Sequence, residues 1–447
     1  MKYFGTDGFR GEANIGLTVN HAFKIGRFLG NYFKNDKEES KILIGKDTRR
    51  SSYMIESALA AGITSSGSDA YLLHVTTTPS VSYIARTEGF DCGIMISASH
   101  NPYYDNGIKI LDSQGYKLEE KVLEELEKYI DSEEDYIPLA KGEEIGRTVD
   151  YIIGRNRYIA YLSTVVTKSF KDVKVLVDAS NGAAYQISKN VFDILGADVE
   201  MMNNKPDGFN INLNSGSTHI ESLAKKVKEG DYDIGIAYDG DADRCLAVDE
   251  KGNIISGDHI IYIFAKMLKE NGELNKNIAV TTIMSNLGLY KALEREKIEY
   301  IKTQVGDKYV SEEIKNHGYS VGGEQSGHII LTKYATTGDG VLTSLKLIEA
   351  MVKQKMPLSL MFKDLIIFPQ VLKNVRVKDK NTVLNDKEIL EAIDNITVEL
   401  GDSGRILVRP SGTEPLIRIM VEAENETICN KHIDTVSKII EDKGYAE

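Results

Sequence analysis

Short apolar runs alternate along most of the chain with longer segments in which apolar residues recur every three or four positions. The short runs are typical of buried strands, and the longer segments are typical of amphipathic helices. The predicted strands cover residues 41–45, 71–75, 92–97, 173–178, the vicinity of 199, 233–237, 278–282 and 298–301. The predicted helices cover about 22–33, 52–65, a segment starting at 220, and 340–355. This alternation predicts right-handed crossover connections and largely parallel sheets that are covered on both faces.

The order of elements changes after Pro357. A strand-like run at 371–377 is followed by a short helix from 386, two closely spaced strands and a final helix over 427–442, which is typical of a smaller α+β domain. The acidic, weakly periodic segment 131–147 marks the edge of the first domain. We therefore predict an α/β protein with three successive α/β domains, whose sheets are mixed and largely parallel, and a smaller C-terminal α+β domain. The predicted bounds are 1–150, 151–254, 255–366 and 367–447.

Composition and charge exclude several classes of protein. The 447 residues are 42% hydrophobic and 27% charged, as in an ordinary globular protein, and the formal net charge is −13. We expect no nucleic-acid partner, because an acidic chain repels polyanions. The three cysteines are odd in number and far apart, so no disulfide framework is expected. No apolar run approaches the ~18 residues of a membrane span, and the first residues lack the apolar stretch of a signal peptide, so we expect a cytoplasmic protein.

The first candidate site is the segment 96–109, which begins at the end of a predicted buried strand. Its proline, asparagine and glycine residues predict a loop. Ligands of open α/β sheets gather beyond the carboxyl ends of the strands, so this loop would present Ser99, His100 and Lys109 to a ligand. The alternative is a polar turn whose serine and asparagine side chains bond to their own backbone. The Gly-x-Ser-x-Gly elbow of serine hydrolases is absent from the segment.

Three aspartates alternate directly after the predicted strand 233–237: Asp239, Asp241 and Asp243. Alternate residues of an extended or looped backbone project the same way, so the three carboxylates can converge. A hard cation such as Mg²⁺ or Ca²⁺ would relieve their repulsion. An EF-hand would need glycine where Arg244 stands, and helices instead of apolar strands on both sides, so that interpretation fails. An exposed acidic turn without a metal is the other alternative.

Three further loops combine glycine with polar side chains. Residues 409–413 offer a guanidinium group, two hydroxyls and backbone N–H groups, which suits a phosphate dianion, although a simple hairpin turn is the alternative. Glu324 and Ser326 have alternate spacing and could face one hydroxyl-bearing ligand, with a glycine-rich turn as the alternative. The loop 5–11 presents Arg10. No P-loop, dinucleotide fingerprint or zinc spacing is present.

Together these motifs resemble those of the α-D-phosphohexomutases, in the order of that family and over essentially the whole chain. The matching segments are 5–11, 97–102, 239–244, 323–328 and 409–415. The resemblance implies four domains around a central cleft and a small-molecule sugar phosphate as substrate. It implies Mg²⁺ as a cofactor and a hexose 1,6-bisphosphate as intermediate and activator, and it is compatible with a homodimer.

The resemblance also implies roles for individual residues. Ser99 would be a phosphoserine, with Mg²⁺ bound by the three aspartates and by a phosphoserine oxygen. The residues implied around the transferring group are Arg10, His100, Lys109 and Arg244. The residues implied in substrate binding are Arg244, Glu324, Ser326 and His328. The residues implied in gripping the non-reacting phosphate are Arg409, Ser411, Gly412, Thr413 and Arg418. For the general acid and base, His100, Lys109 and His328 stay open.

The prediction of the substrate is based on three short segments. Gln325, residues 285–288 and residues 336–340 resemble the branch of the family that acts on glucosamine phosphate. This predicts interconversion of glucosamine 6-phosphate and glucosamine 1-phosphate, in the synthesis of amino-sugar nucleotides and cell-wall precursors. A glucose or mannose phosphomutase is one alternative. A catalytically idle sugar-phosphate sensor is another, although a sensor would need no acceptor serine.

Overall fold

The computed structural model describes residues 1–35, 37, 39–411 and 415–447. Its described residues form three mixed α/β sheets and a small antiparallel C-terminal sheet with its own helices. The predicted fold class is therefore confirmed. No helix of the described residues combines the length and the apolar character that a membrane crossing needs.

The first sheet has seven strands. They are β1 (Phe4–Gly5), β2 (Gly8–Glu12), β3 (Lys41–Lys46), β4 (Asp69–Val75), β5 (Cys92–Ile96), β6 (Asp105–Asp112) and β7 (Thr148–Asp150). The accompanying helices are α1 (Val19–Lys34), α2 (Arg50–Ser65), α3 (Thr78–Thr87) and α4 (Glu120–Asp131). The spatial order is β1-β2-β6-β5-β3-β4-β7, in which β5, β3, β4 and β7 run parallel and the β6 side is antiparallel. Apolar side chains from both layers, such as Ile44, Ile94 and Leu59, form one buried core.

The second and third sheets follow the same plan of parallel centre and antiparallel edge. The second contains β8 (Lys174–Asp178), β9 (Asp198–Met202), β10 (Ile234–Tyr238), β11 (Cys245–Asp249) and β12 (Ile254–Ile255), with α5 (Ile152–Thr164), α6 (Ala184–Leu195) and α7 (Glu221–Glu229). The third contains β13 (Ile278–Thr282), β14 (Glu299–Thr303), β15 (Val321–Gly323) and β16 (Ile329–Leu331), with α8 (Gly257–Glu270), α9 (Leu287–Arg295), α10 (Asp307–His317), α11 (Gly340–Gln354) and α12 (Leu358–Met361). Their orders are β12-β11-β10-β8-β9 and β14-β13-β15-β16.

The C-terminal sheet is antiparallel, in the order β17-β19-β18. Its elements are β17 (Gln370–Arg376), α13 (Lys380–Leu384), α14 (Lys387–Leu400), β18 (Arg405–Pro410), β19 (Leu416–Glu422) and α15 (Glu426–Asp442). The helix predicted to be short from residue 386 is α14, which has 14 residues. It is longer than predicted because Asp386 caps its first turn and Ile389, Ile396 and Leu400 supply a continuous buried face.

The chain divides into two compact units. The first comprises Met1–Met284 and Ile298–Phe362, and the second comprises Ser285–Lys297 and Lys363–Glu447. The second unit thus contains α9, although its sequence lies between two strands of the third sheet. A buried carboxylate holds it there, since Glu422 Oε2 accepts the Leu287 N–H at 2.9 Å. The four domain bounds given above stay a prediction.

Candidate active site

Ser99 lies in the loop that follows β5, at the carboxyl end of a central strand of the first sheet. The residue is buried, and its φ of 52° places its backbone in the left-handed region. Its hydroxyl donates a hydrogen bond of 2.5 Å to Asp239 Oδ2, and the same oxygen lies 3.4 Å from His100 Nδ1. Two of the sequence-predicted motifs, from two different sheets, therefore meet at this hydroxyl.

Asp239, Asp241 and Asp243 follow β10 and are all buried. One ligand oxygen from each lies within 4.8 Å of the other two. Burial and the two neighbouring carboxylates raise the pKa of Asp239 well above its ordinary value. Among the described residues, the Oδ1 atoms of Asp241 and Asp243 have no hydrogen-bond partner. Converging buried carboxylate oxygens without donors fit a hard cation, so this triad can hold a divalent metal ion.

The prediction of one continuous loop up to Lys109 was wrong, because β6 begins at Asp105 and contains Lys109. Asn106 and Gly107, which favour turns elsewhere, belong to this strand. The Asn106 side chain accepts the Gly107 N–H at 2.8 Å and donates to Ser52 Oγ, so its polar groups are satisfied within the packed structure. A Cβ at position 107 would lie 2.4 Å from the Ser97 carbonyl oxygen. Glycine is therefore needed at position 107 because the backbone of Ser97 packs closely against it. Glycine can have this function within a strand as well as in a turn.

Lys109 lies among carboxylates on its rigid strand. Its Nζ is 2.8 Å from Asp241 Oδ2, 2.9 Å from Asp243 Oδ2 and 3.3 Å from Asp7 Oδ1. Burial alone would lower the pKa of Lys109, but these three carboxylates outweigh it and raise the pKa well above the ordinary value. Burial likewise pushes the pKa of Asp243 upward, and the Lys109 ammonium brings it below its usual range. The ammonium therefore stays charged and orients two members of the triad.

Sequence reasoning missed Asp7, whose carboxylate forms ion pairs with several cations of the site. The Arg10 guanidinium forms an ion pair with it, and Lys109 and Lys117 place their ammonium groups 3.3 and 3.4 Å from its Oδ1. Lys117 also lies 2.5 Å from Asp307 Oδ2, which connects the first sheet to the start of α10. Asp7 belongs to the same short motif as Arg10, so the motif itself was the available signal. Nothing local marks Lys117 or Asp307, because their pairing spans 190 positions.

The two histidines of the site differ in their surroundings. Burial, together with Arg244 and Arg10, lowers the pKa of His100 to about 4, so its ring is neutral near pH 7. His328 is buried and its Nε2 accepts the Gly338 N–H at 3.2 Å. Its Nδ1 has no hydrogen-bond partner in the described part of the chain. His328 therefore offers a ring N–H to a ligand, while the Nδ1 atom of His100 faces Ser99.

The remaining predicted residues of the first unit lie around the same loops. Arg244 follows the triad, and its backbone N–H donates to Asp239 Oδ1 at 3.2 Å. Arg244 also forms an isolated antiparallel bridge with His328, which joins the second and third sheets. Glu324 is buried between β15 and β16 and accepts the Gly306 N–H at 3.0 Å, whereas Ser326 is exposed in the same turn.

The predicted phosphate loop belongs to the second unit. Arg409 and Arg418 are direct partners on β18 and β19, and Arg418 donates to Ser411 Oγ at 3.4 Å. Lys380 donates to the Ser411 carbonyl oxygen at 2.8 Å. Gly412 and Thr413 lie outside the described residues. The described part of this hairpin thus concentrates positive charge at its tip, which suits an anion.

Comparison with protein families gives four matches along the chain. The models describe the phosphoglucomutase/phosphomannomutase alpha/beta/alpha domains I, II and III and the C-terminal domain, and they match residues 1–137, 156–252, 256–367 and 372–436. The chain belongs to this family of phosphohexomutases.

Curated relatives and solved structures extend this result. The phosphoglucosamine mutase of Lachnospira eligens is 58% identical over 447 residues, covering 100% of this chain and 99% of the relative. That of Lachnoclostridium phytofermentans is 59% identical over 444 residues, covering 99% of both chains. A phosphoglucomutase/phosphomannomutase family protein from Burkholderia thailandensis has the same fold, with a TM-score of 0.80, 22% identity and coverage of 100% and 98%. The Aspergillus fumigatus N-acetylphosphoglucosamine mutase in complex with GlcNAc-6P and magnesium has a TM-score of 0.73, 16% identity and coverage of 98% and 95%.

Proposed function

We propose that this chain is a phosphoglucosamine mutase, an isomerase that interconverts glucosamine 6-phosphate and glucosamine 1-phosphate. The observation that carries the proposal is the buried Ser99 hydroxyl, which faces Asp239 within a triad of carboxylates. A hydroxyl in that position can carry a phosphoryl group beside a cation site. The full-length identity of 58–59% to curated phosphoglucosamine mutases supports the choice of substrate.

In the proposed cycle, phosphorylated Ser99 gives its phosphoryl group to O1 or O6 of the sugar monophosphate. The P–O bond to Ser99 breaks, a P–O bond to the sugar hydroxyl forms, and the product is the 1,6-bisphosphate. Transfer of the other phosphate back to Ser99 completes the isomerisation. Catalysis of this transfer consists of positioning and charge neutralisation. The cations that surround the site, Arg10, Lys109 and Arg244, supply the neutralisation.

The metal ion proposed for the triad is Mg²⁺, held by Asp239, Asp241, Asp243 and a phosphoserine oxygen. When bound, it would neutralise charge on the phosphoryl group. The donor set is all oxygen, which suits Mg²⁺. The magnesium in the Aspergillus enzyme, which shares this fold, supports the choice.

Proton transfer at the serine oxygen is assigned to His100 on geometry. The Lys109 ammonium donates to Asp241 and Asp243 and forms an ion pair with Asp7, and the Nδ1 atom of His328 is assigned to the sugar. The Nδ1 atom of His100 lies 3.4 Å from Ser99 Oγ, within reach after a small adjustment. The accepting sugar hydroxyl loses one proton and the Ser99 oxygen gains one, and the neutral ring of His100 would take up the first and deliver it to the second. The reverse transfer would move the proton back.

The sugar is assigned to Glu324, Ser326 and His328, which offer a carboxylate, a hydroxyl and a ring N–H. The phosphate that is not being transferred is assigned to Arg409, Ser411, Gly412, Thr413 and Arg418. This division separates the binding of the two ends of the substrate. Substitutions at the hairpin should therefore affect binding more than the transfer step.

The test is turnover of glucosamine 6-phosphate with Mg²⁺ and a trace of glucose 1,6-bisphosphate, beside glucose 6-phosphate and mannose 6-phosphate. We expect glucosamine phosphate to be the best substrate and Ser99→Ala to be inactive. Ser57→Ala, an exposed serine on α2, is the matched control and should be fully active. A preference for a neutral hexose phosphate would overturn the substrate assignment. Binding without turnover and without Ser99 phosphorylation would favour a sensor.

A further inference from the structure

The backbone carbonyl groups of Ser99 and Asn101 are held by two side chains from different domains. The Arg49 Nη2 atom lies 3.2 Å from the Ser99 carbonyl oxygen and 2.5 Å from that of Asn101. The Asn212 Nδ2 atom lies 2.8 Å and 2.9 Å from the same two oxygens. Each nitrogen carries two hydrogens, so each can donate once to each carbonyl.

Both donors are themselves fixed. Arg49 is fully buried between β3 and α2, where its guanidinium forms an ion pair with Asp47 and its backbone N–H donates to the same carboxylate at 2.9 Å. Asn212 is 7% exposed and its backbone N–H donates to the Ser180 carbonyl oxygen at 2.9 Å. Immobilised donors bind their acceptors with little further loss of side-chain entropy.

The backbone at Ser99 needs such support. Its φ of 52° is a left-handed conformation, which is unfavourable for a residue other than glycine. Such a conformation persists where the surroundings determine it. Gly240, which lies between Asp239 and Asp241, packs against the same carbonyl group. A Cβ at position 240 would lie 2.4 Å from the Ser99 carbonyl oxygen.

We propose that Arg49 and Asn212 form a clamp on the Ser99 and Asn101 carbonyls, and that this clamp is a positioning device for the phosphoryl-carrying serine. The inference rests on the proposed function of Ser99. The clamp keeps the hydroxyl directed at Asp239 when the serine is free and keeps the loop in place when the serine carries a dianion. A phosphoserine whose charge changes in every cycle would otherwise move with each transfer.

The chain supplies a matched pair of variants. Asn212 and Asn214 lie in the same loop, and both have left-handed backbones, with φ of 59° and 49°. Asn214 is exposed, and no contact joins it to Ser99 or Asn101 among the described residues. Asn212→Ala and Asn214→Ala therefore share the backbone effect of losing asparagine in the left-handed region, and only the first removes clamp donors.

We expect Asn212→Ala to lower kcat by about 10- to 100-fold with KM changed less than about twofold, because small misplacement of a reacting group has an effect of this size. Asn214→Ala should leave both constants unchanged. Arg49→Lys keeps a cation beside Asp47 but removes the guanidinium group that reaches both carbonyls, and it should lower kcat in the same way. The double variant should lose less than the product of the two single losses, since both donors act on the same carbonyls.

Hydrogen exchange of a peptide covering residues 97–104, on the unphosphorylated protein without substrate, tests the clamp apart from catalysis. Exchange should be faster in Asn212→Ala than in Asn214→Ala or the unaltered chain. Equal exchange and equal kcat in the two asparagine variants would overturn the clamp, as would a loss confined to KM. An inactive unaltered chain would overturn the proposed function, and the exchange comparison would still decide whether the clamp exists.

Discussion

Arg409 lies directly opposite Arg418 in the β18–β19 hairpin, so two guanidinium groups share one face of the C-terminal sheet. Like charges in directly opposite positions destabilise a sheet. Burial, with the neighbouring Arg418, lowers the pKa of Arg409. A bound dianion would relieve this repulsion, so the pair suits the phosphate that we propose for this hairpin.

Arg409→Ala should raise KM about tenfold or more, because a charge-assisted contact to phosphate contributes about 1.5–3 kcal/mol. The same variant should be at least as stable as the unaltered chain in the absence of substrate, since a like-charge neighbour of Arg418 is removed. Steady-state kinetics and urea unfolding measure the two effects. Arg376→Ala is the control, because Arg376 is an exposed arginine of β17 that pairs with Glu447. Unchanged KM in Arg409→Ala would remove this residue from phosphate binding.

Asp241→Asn should weaken the binding of Mg²⁺ by about tenfold or more, measured by titration calorimetry, because one charged ligand of the triad is lost. Asp249→Asn serves as the control, since Asp249 is equally buried on β11 and its Oδ1 accepts the backbone N–H groups of Lys251 and Asn253 in a turn. Equal affinity in the two variants would contradict the metal site. Loss of affinity in both would point to a general disturbance of the second sheet.

Asp339 gives the chain a stability that depends on pH. This buried residue caps α11 and accepts the Tyr158 hydroxyl, and burial raises its pKa to about 6. The folded state therefore holds a proton that the unfolded state has lost above about pH 4, so stability falls as pH rises from about 4 to 6. Asp339→Asn keeps an acceptor oxygen without this titration. We expect it to be more stable by up to ~3 kcal/mol at pH 7.5, with the advantage vanishing near pH 4.

The unfolding midpoint in urea, measured at several pH values, checks this expectation. Asp386, the cap of α14, should change stability with pH in the opposite direction, because hydrogen bonding to Lys443 lowers the pKa of Asp386 to about 2. The contribution of ionised Asp386 to folding stability is present above about pH 4 and is lost as pH falls through about 2. Asp386→Asn should therefore be less stable than the unaltered chain at pH 7.5. A constant difference between Asp339→Asn and the unaltered chain across the range would contradict the assignment.

Glu422→Ala should destabilise the second unit by about 3–5 kcal/mol, because it leaves the partly buried Arg405 without its carboxylate. Arg405 Nε lies 2.7 Å from Glu422 Oε2, which also accepts the Leu287 N–H at the start of α9. Hydrogen exchange in α9 should increase together with the loss of stability. Glu424→Ala, an exposed neighbour, should change neither quantity.

Much of the fold could be predicted because apolar periodicity is a local property. The strands at 41–45 and 92–97 are β3 and β5 to within one residue at each end. Lys109 was misplaced in a loop because turn propensity is also local, whereas the need for glycine at 107 comes from the Ser97 carbonyl packed against it. Arg49 and Asn212 carried no signal, since their common partner is a pair of backbone carbonyls far away in sequence. The pairing of Lys117 with Asp307 was missed for the same reason, because contacts between distant positions leave no local pattern in the sequence.

The place of α9 has a consequence for the order of synthesis. This helix leaves the ribosome with the third sheet, yet its buried carboxylate partner, Glu422, is made only after the rest of the third sheet and most of the C-terminal sheet. Until then the N-terminus of α9 lacks the acceptor for its Leu287 N–H. A chain truncated at residue 362 would contain α9 without the unit to which it belongs, and an isolated segment 363–447 would lack α9. The C-terminal unit therefore cannot be excised or exchanged between relatives as one continuous stretch of sequence.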